Sequence, residues 1–253
     1  MMADKLSVGI FKLTSCAGCQ MQILHLEDRL LSLLPLVDIR FFKMATSEEH
    51  QGPYDVAFVE GAVSNMDQVA LLKGIRLQSK VLVALGACAC TGGINSVKNW
   101  MPQRELEARV YPDIAEVRSM KAFGLDEYVA VDAYLHGCPI EAEEFLDVVK
   151  FASLGLTRPQ VGESVCVECK TRENTCLMKE LNVRCMGSVT RAGCGALCPS
   201  RGAPCEGCRG PCKDPNPEAL ARLFTQLGLT REETYRVFRK YAGLMPEFRE
   251  VSR

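Results

Sequence analysis

The cysteines constrain this chain more than any other feature of its sequence. Of 253 residues, 14 are cysteine, and nine of these crowd between Cys166 and Cys212. The N-terminus lacks a basic region followed by an apolar core and a cleavage site, and no apolar run approaches the roughly 18 residues of a membrane span. We therefore expect a cytoplasmic protein, in which thiols bind metal in preference to forming disulfides.

The charge balance excludes some classes of partner. The chain has 30 basic and 31 acidic residues, so it offers no strong field for nucleic acid or anionic lipid. Apolar residues make up 47% and charged residues 24%, which is typical of a globular protein. The sequence therefore predicts a globular chain with no nucleic-acid partner and no transmembrane segment.

The first part of the chain alternates between predicted strands and helices. Short β-branched or aromatic runs predict five strands: Ser7–Leu13, Val37–Phe42, Asp55–Glu60, Lys80–Gly86 and Tyr128–Ala133. Amphipathic stretches predict helices over Gln20–Leu34, Asp67–Gln78 and Glu141–Phe151. This order is typical of an α/β fold with a doubly wound parallel sheet, in which ligands bind at the carboxyl ends of the strands.

Cysteines follow three of these predicted strands. Cys16 and Cys19 come after the first strand, Cys88 after the fourth and Cys138 after the fifth. Flanking glycines allow close approach of the backbone and supply N–H donors to sulfur. Four thiols from three loops suit a 4Fe–4S cluster, and a tetrahedral zinc site is the alternative. Cys90 competes with Cys88 for a ligand role, and spacing leaves that choice open.

A second, cysteine-rich region follows a predicted domain boundary near Gly155 to Gly162, which divides the chain into residues 1–158 and 159–253. Spacing splits eight of its nine cysteines into two quartets and leaves Cys212 over. The quartets are Cys166, Cys169, Cys176 and Cys185, and then Cys194, Cys198, Cys205 and Cys208. Each quartet holds one CxxC pair, where zinc ribbons usually hold two, so the spacing favours 4Fe–4S clusters over zinc. The region lacks apolar periodicity, and we expect metal to form its core.

Two helices are predicted after the cysteine-rich region. Asn216 followed by Pro217 is a favourable N-cap and first-turn pair. Thr230 with Glu233 indicates a capping box at the start of a last helix. We expect these C-terminal helices to pack on the sheet domain or on a partner.

Taken together, these motifs resemble the small subunit of NiFe hydrogenases. The likeness covers nearly the whole chain and is carried by these segments: Cys16-x2-Cys19, Val59-Glu60-Gly61, Gly86-Ala87-Cys88-Ala89 through Gly93, Gly137-Cys138-Pro139 and the cysteine-rich tail. Residues 11–16 and 191–199 look more narrowly like the cytoplasmic multisubunit type, which includes sulfhydrogenase delta subunits and methyl-viologen-reducing hydrogenase small subunits.

The resemblance implies a fold, ligands and a role. It implies a flavodoxin-like domain that binds a proximal 4Fe–4S cluster, followed by an irregular domain with C-terminal helices that binds a medial and a distal cluster. The implied ligands are Cys16, Cys19, Cys88 and Cys138 (proximal), Cys194, Cys198, Cys205 and Cys208 (medial), and Cys166, Cys169, Cys176 and Cys185 (distal). By this alignment Cys90 is not a ligand. Better-known members have a histidine in place of Cys166. Their medial cluster often has only three cysteine ligands, whereas this chain offers a fourth, Cys198, for which Cys212 is the alternative.

The implied function is electron transfer within a hydrogenase. Dihydrogen would be split or formed at a Ni–Fe centre in a partner large subunit, and electrons would reach a flavin- or iron–sulfur-containing subunit through the three clusters. No catalytic residue is expected here. Gln20 and Met21 follow Cys19 where related enzymes often carry a glutamate, so we expect proton transfer elsewhere.

Two alternatives accompany this interpretation. One is the 20 kDa-type subunit of a complex I quinone reductase, which shares the sheet domain but differs at the first motif and lacks the cysteine-rich tail. The other is a zinc-stabilised interaction module without redox activity.

Overall fold

The computed structural model describes residues 5–252. The chain divides into two compact units, the first ending at Pro159 and the second beginning at Gln160. Within residues 5–252, no helix combines the length and the apolar character needed to cross a membrane.

A five-stranded sheet forms the centre of the first unit. Its strands are β1 (Leu6–Lys12), β2 (Val37–Phe42), β3 (Tyr54–Glu60), β4 (Ser79–Leu85) and β5 (Ala133–Leu135). Their order in the sheet is β2-β1-β3-β4-β5, and every neighbouring pair is parallel. This is the flavodoxin-like order of a doubly wound sheet, so the predicted fold class is confirmed.

The strands β1, β3 and β4 at the centre of the sheet are buried on both faces, which explains their largely apolar sequences. Val8 and Phe58 face one core, and Phe11 and Val59 face the other. The helices of this unit, over its described residues, are α1 (Gly18–Leu24), α2 (Asp28–Leu31), α3 (Met66–Leu77), α4 (Gly86–Thr91), α5 (Gln103–Val110) and α6 (Ala142–Ser153). Short 3-10 helices span Gly93–Trp100 and Leu125–Glu127.

Two sequence-based elements of this unit were wrong in detail. The single helix predicted over Gln20–Leu34 is interrupted at Glu27, whose φ of 47° places it in the left-handed region and breaks the hydrogen-bond ladder. The fifth strand does not span Tyr128–Ala133. The N–H of Tyr128 closes a 3-10 turn by donating to the Leu125 carbonyl, and the strand begins only at Ala133.

The second unit combines the cysteine-rich segment with C-terminal helices. Its helices are α7 (Val165–Thr171), α8 (Leu177–Glu180), α9 (Pro217–Gln226), α10 (Arg231–Arg239) and α11 (Pro246–Arg249), with 3-10 turns at Pro199–Arg201 and Glu250–Ser252. Asn216 caps α9 by accepting from the N–H of Ala219, and Thr230 with Glu233 forms a full capping box, so both helix starts are confirmed.

The cysteine-rich segment also has an apolar core. Val165, Met186 and Val189 are buried against Phe224 and Phe238 of the C-terminal helices. The expectation that metal forms this core was therefore wrong in part. Apolar side chains too widely spaced to show a period along the sequence converge once helices α9 and α10 pack on them.

Candidate metal centres

The first group of thiols lies at the carboxyl edge of the sheet. Cys19 lies on α1 after β1, Cys88 on α4 directly after β4, and Cys138 three residues after β5. The N–H of Ala87 donates to the carbonyl of Gly137 at 2.7 Å, which joins the last two of these loops. Cys16 and Cys138 are exposed, whereas Cys19 is buried. The topology thus brings together the four thiols that spacing alone had only placed at one edge.

Burial and mutual repulsion raise the pKa values of two of these thiols. Burial and the thiol of Cys138 raise the pKa of Cys88 to about 12, and Cys16 contributes further. Burial and the carboxylate of Glu60 raise the pKa of Cys19 well above its usual value, and Cys88 and Cys138 add to that shift. Four neighbouring thiolates therefore need positive charge among them, as iron supplies in a cluster.

Glu60 anchors the first cysteine loop. It ends β3, is 1% exposed, and accepts hydrogen bonds from the N–H groups of Cys19 (3.2 Å) and Gln20 (3.3 Å). Burial raises its pKa, opposed by these two hydrogen bonds. The sequence motif includes Glu60 but assigns it no role. A charged residue at the carboxyl end of an apolar strand was the signal available in the sequence.

Two glycines in the Gly86–Gly93 motif leave room for the thiols. A Cβ atom on Gly86 would lie 2.3 Å from the Cys19 sulfur, and its φ of 83° is in the left-handed region. A Cβ on Gly93, with φ of 52°, would lie 2.9 Å from the N atom of Cys88. Because neither glycine has a side chain, the backbone can approach the thiols closely and leaves space for a sulfur-rich group between them. Asn95 adds a donor, since its Nδ2 lies 3.3 Å from the Cys88 sulfur.

Cys90 points away from this group. Its side chain is 2% exposed and lies in the apolar core between the sheet and α3. Its thiol donates to the carbonyls of Ala84 (3.6 Å) and Leu135 (3.5 Å). Spacing left open which of Cys88 and Cys90 is the ligand. Both lie on α4, and residues two apart on a helix point to nearly opposite sides, so only Cys88 faces the other thiols.

The second group of thiols surrounds one cavity in the second unit. Cys166, Cys169, Cys176 and Cys185 all line it, together with Gly187 and apolar side chains. Burial and the thiol of Cys185 raise the pKa of Cys166 to about 11, and the other two thiols of the quartet contribute less. Among residues 5–252, no three His, Cys, Asp or Glu side chains converge on a point where one metal ion could bind.

Hydrogen-bond donors surround these sulfurs too. The N–H of Cys205 donates to the Cys185 sulfur at 3.3 Å, and Asn174 Nδ2 lies 3.7 Å from the Cys169 sulfur. The N–H of Cys176 is held by the Glu180 carboxylate at 3.0 Å. Cys176 is exposed, so this group reaches the surface of its unit.

The last four predicted thiols lie on two loops that a buried arginine connects. Burial is the main cause of the raised pKa of Cys205; the charge of Cys185, from the second group, adds to that shift, and the charge of Cys208 adds less. Arg209 is 3% exposed and its Nε donates to the Ala192 carbonyl at 2.8 Å, next to the loop of Cys194. The N–H of Ala203 donates to the Cys198 carbonyl at 3.0 Å.

Cys212, the rival of Cys198, faces a different environment. Its thiol donates to the Ser188 carbonyl at 3.8 Å. Burial raises its pKa, a backbone N–H and the charge of Arg191 oppose that shift, and the charge of Asp214 adds to it. Cys212 is buried, whereas Cys198 is exposed.

A larger cavity, of about 720 Å³, lies elsewhere in the first unit. It is lined by Phe11, Phe41 and Tyr54 and by residues of α3, and its lining contains no cysteine. It forms where an irregular segment, in place of a helix, connects β2 to β3. Without thiols in its lining, this cavity does not suit an iron–sulfur cluster.

Comparison with known proteins identifies the chain. The family model described as NADH ubiquinone oxidoreductase, 20 Kd subunit, matches residues 16–151, over half of the chain. The delta subunit of sulfhydrogenase 2 from Pyrococcus furiosus is 36% identical over 238 residues, which cover 94% of this chain and 99% of that protein. The chain belongs to the family of this model and, within it, is a hydrogenase small subunit. The predicted resemblance is therefore confirmed.

Further relatives agree with this assignment of the small subunit. A subunit of the F420-non-reducing hydrogenase from Methanocaldococcus jannaschii is 34% identical over 235 residues, covering 80% of this chain and 81% of that protein. The structure of an NAD⁺-reducing [NiFe]-hydrogenase in the H2-reduced state is similar with 29% identity and a TM-score of 0.54, covering 60% of this chain and 93% of that one.

A more distant structure shows the fold alone. The [NiFeSe]-hydrogenase of Dm. baculatum matches with 18% identity and a TM-score of 0.59, over 83% of this chain and 95% of that one. The family model stops at residue 151, so the part shared with quinone reductases is the sheet domain. The similarity to the sulfhydrogenase subunit spans 94% of the chain and so includes the cysteine-rich tail. The small subunit thus belongs to a hydrogenase, an oxidoreductase that works as a complex.

Proposed function

We propose that this chain is the electron-transferring small subunit of a cytoplasmic NiFe hydrogenase and binds three 4Fe–4S clusters. The observation that carries the proposal is the meeting of the Cys16, Cys19, Cys88 and Cys138 thiols at one edge of the sheet, from three separate strands. When bound, the clusters supply one-electron transfer between a Ni–Fe centre in the large subunit and an acceptor subunit.

In this proposal the sheet domain holds the proximal cluster. Its four thiols bind iron, Glu60 fixes the backbone of the first loop, and Asn95 donates toward the Cys88 sulfur. Hydrogen bonds to a cluster sulfur stabilise its reduced, more negative state. The buried side chains around Cys19 exclude water from one side of the group.

The second domain holds the other two clusters. Cys166, Cys169, Cys176 and Cys185 are the proposed distal ligands, supported by the cavity they share. Cys194, Cys198, Cys205 and Cys208 are the proposed medial ligands, supported by their spacing in the sequence and by the hydrogen bond of Arg209 that connects their two loops. The thiol of Cys212, which donates to a carbonyl, is left out.

Two partners follow from the proposal. The exposed thiols of Cys16 and Cys138 suit a large subunit that covers the proximal cluster. The exposed thiol of Cys176 suits a flavin- or iron–sulfur-containing acceptor subunit beside the distal cluster. One solved relative is described as NAD⁺-reducing, which is consistent with a flavin-bearing acceptor.

Anaerobic purification of the tagged chain with its natural partners tests this function. We expect a hydrogenase large subunit and a redox subunit to co-purify, and the brown colour of the complex to bleach under dihydrogen. A colourless, zinc-containing protein without a large subunit would contradict the proposal and favour an interaction module.

A further inference from the structure

A carboxylate from one cysteine motif reaches into the loop of another. Glu168 lies between Cys166 and Cys169 on α7, within the distal motif. Its Oε1 accepts from the N–H of Gly193 at 2.8 Å, and its Oε2 accepts from the N–H of Ala196 at 3.0 Å. These two donors flank Cys194, the first proposed medial ligand. Glu168 therefore holds the backbone on both sides of that cysteine.

The loop that Glu168 holds has an unfavourable backbone. Gly193, Gly195 and Ala196 all have φ in the left-handed region, at 115°, 59° and 50°. For a residue with a side chain, such as Ala196, this conformation costs about 1–2 kcal/mol and persists only where the surroundings enforce it. The result is that two N–H groups turn toward one point, which forms a small anion-binding concavity. The Glu168 carboxylate fills it.

A second side chain supports the same loop from the end of α7. Arg172 lies one helical turn after Glu168, and a Cβ on Gly195 would lie 2.6 Å from its Nη2. The guanidinium therefore packs directly on the backbone between Gly193 and Ala196. Because α7 also carries two distal cysteines, the distal ligands and the Cys194 loop form one connected structure.

The carboxylate also brings negative charge close to Cys194. Its two oxygens lie 2.8 Å from the backbone N of Gly193, which precedes Cys194, and 3.0 Å from that of Ala196, two residues after it. A fixed negative charge beside a metal cluster disfavours the addition of an electron, because the reduced cluster is more negative. A neutral glutamine of the same length would lack this effect and could accept from only one of the two N–H groups.

We propose that Glu168, although it lies in the distal motif, is a positioning residue for the medial cluster: it fixes the Cys194 loop and keeps the medial reduction potential low. This inference rests on the proposed function for the assignment of the medial and distal quartets. The contact between Glu168 and the loop stands independently of that assignment.

The test compares Glu168→Gln and Glu168→Ala in the complete complex with the control Glu163→Gln. Glu163 is exposed and lies three residues before Cys166, so its replacement removes the same charge while leaving the hydrogen bonds to Gly193 and Ala196 in place. The measurements are a redox titration followed by electron paramagnetic resonance and amide hydrogen exchange over residues 193–197. The distal signal is identified with Cys176→Ser.

For Glu168→Gln, we expect a higher medial potential, an unchanged distal potential, and exchange over residues 193–197 faster by about tenfold, the effect of one lost hydrogen bond of ordinary strength. Glu168→Ala should lose about four irons per chain, one cluster's content. Glu163→Gln should behave as wild type.

Other results overturn the inference. If the medial potential and the exchange rates of Glu168→Gln equal those of Glu163→Gln, Glu168 does not position the loop. If the distal signal shifts and the medial one does not, Glu168 serves only its own motif. A wild-type complex with fewer than three clusters defeats the proposed function instead, and the exchange measurement still decides whether Glu168 holds residues 193–197.

Discussion

The carboxylate of Glu60 accepts a hydrogen bond from the N–H of Cys19, across 41 positions of sequence, and so joins the end of β3 to the first cysteine loop. The other carboxylate oxygen accepts from Gln20. Because all three residues are buried, no water can replace the carboxylate. The fold of the sheet thereby sets the position of the Cys19 thiol.

Replacement of Glu60 by alanine should release this loop. Two buried N–H groups would lose their acceptor, at a cost of about 1–3 kcal/mol each. We expect Glu60→Ala to lose about four irons per chain, measured by iron analysis of the anaerobic complex. Glu107→Ala is the control, since Glu107 is also buried but bonds to Gln103 and Ser119 away from the cysteines. Full iron content in Glu60→Ala would contradict the anchoring role.

Gly86 should tolerate no side chain. Gly86→Ala would place Cβ 2.3 Å from the Cys19 sulfur and force an L-residue to a φ of 83°. We expect loss of the proximal cluster, seen as one missing signal in electron paramagnetic resonance. Gly74→Ala is the matched control, because a Cβ there meets nothing within 4 Å. In a helix it should stabilise by about 0.4–1 kcal/mol. Equal cluster content in both variants would refute the close-approach argument.

Cys88 and Cys90 should behave differently although they are two residues apart. Cys88→Ser should remove the proximal cluster and lower dihydrogen-dependent viologen reduction by at least about a hundredfold, as loss of an essential relay does. Cys90→Ser should keep its iron, because its thiol donates to backbone carbonyls inside the apolar core. Burial of a hydroxyl at this core position should cost about 1–2 kcal/mol in the free energy of unfolding. Loss of iron in Cys90→Ser, with full iron in Cys88→Ser, would make Cys90 the ligand in place of Cys88.

Cys198 and Cys212 provide a second matched pair. Cys198→Ser should convert or remove the medial cluster, which changes its resonance signal and lowers the iron content. Cys212→Ser should leave the signal unchanged, because the hydroxyl can donate to the Ser188 carbonyl as the thiol does. A medial signal that survives in Cys198→Ser and disappears in Cys212→Ser would make Cys212 the fourth ligand.

Most of the sheet could be predicted from the sequence because its central strands are buried on both faces. The run Val56–Val59 within the predicted strand Asp55–Glu60 is continuous and apolar, and it lies in β3. The predicted strand Val37–Phe42, in which Asp38 and Arg40 interrupt the apolar residues, is the edge strand β2. The fifth strand is only three residues long, and Val129 and Val131 beside it are packed on the core without pairing in the sheet. Apolar composition therefore misplaced it. The break at Glu27 left no sequence signal, since nothing local favours a positive φ there.

For the candidate site, the sequence predicted the grouping of the thiols better than it predicted the side chains that fix the cysteine loops. Parallel strands deliver their carboxyl ends to one edge, so the first group follows from topology. The contacts of Glu60 and Glu168 join residues 41 and 25 positions away, and no local pattern marks such partners. The choice between Cys88 and Cys90 likewise depends on the phase of α4, which spacing does not give.

Iron and acid-labile sulfide analysis of the anaerobically purified complex tests the central claim most directly. Three 4Fe–4S clusters in this chain predict about twelve irons and about twelve sulfides from the small subunit, after subtraction of the partners' content. A content near four irons, or zinc without labile sulfide, would contradict the claim that this chain carries three clusters.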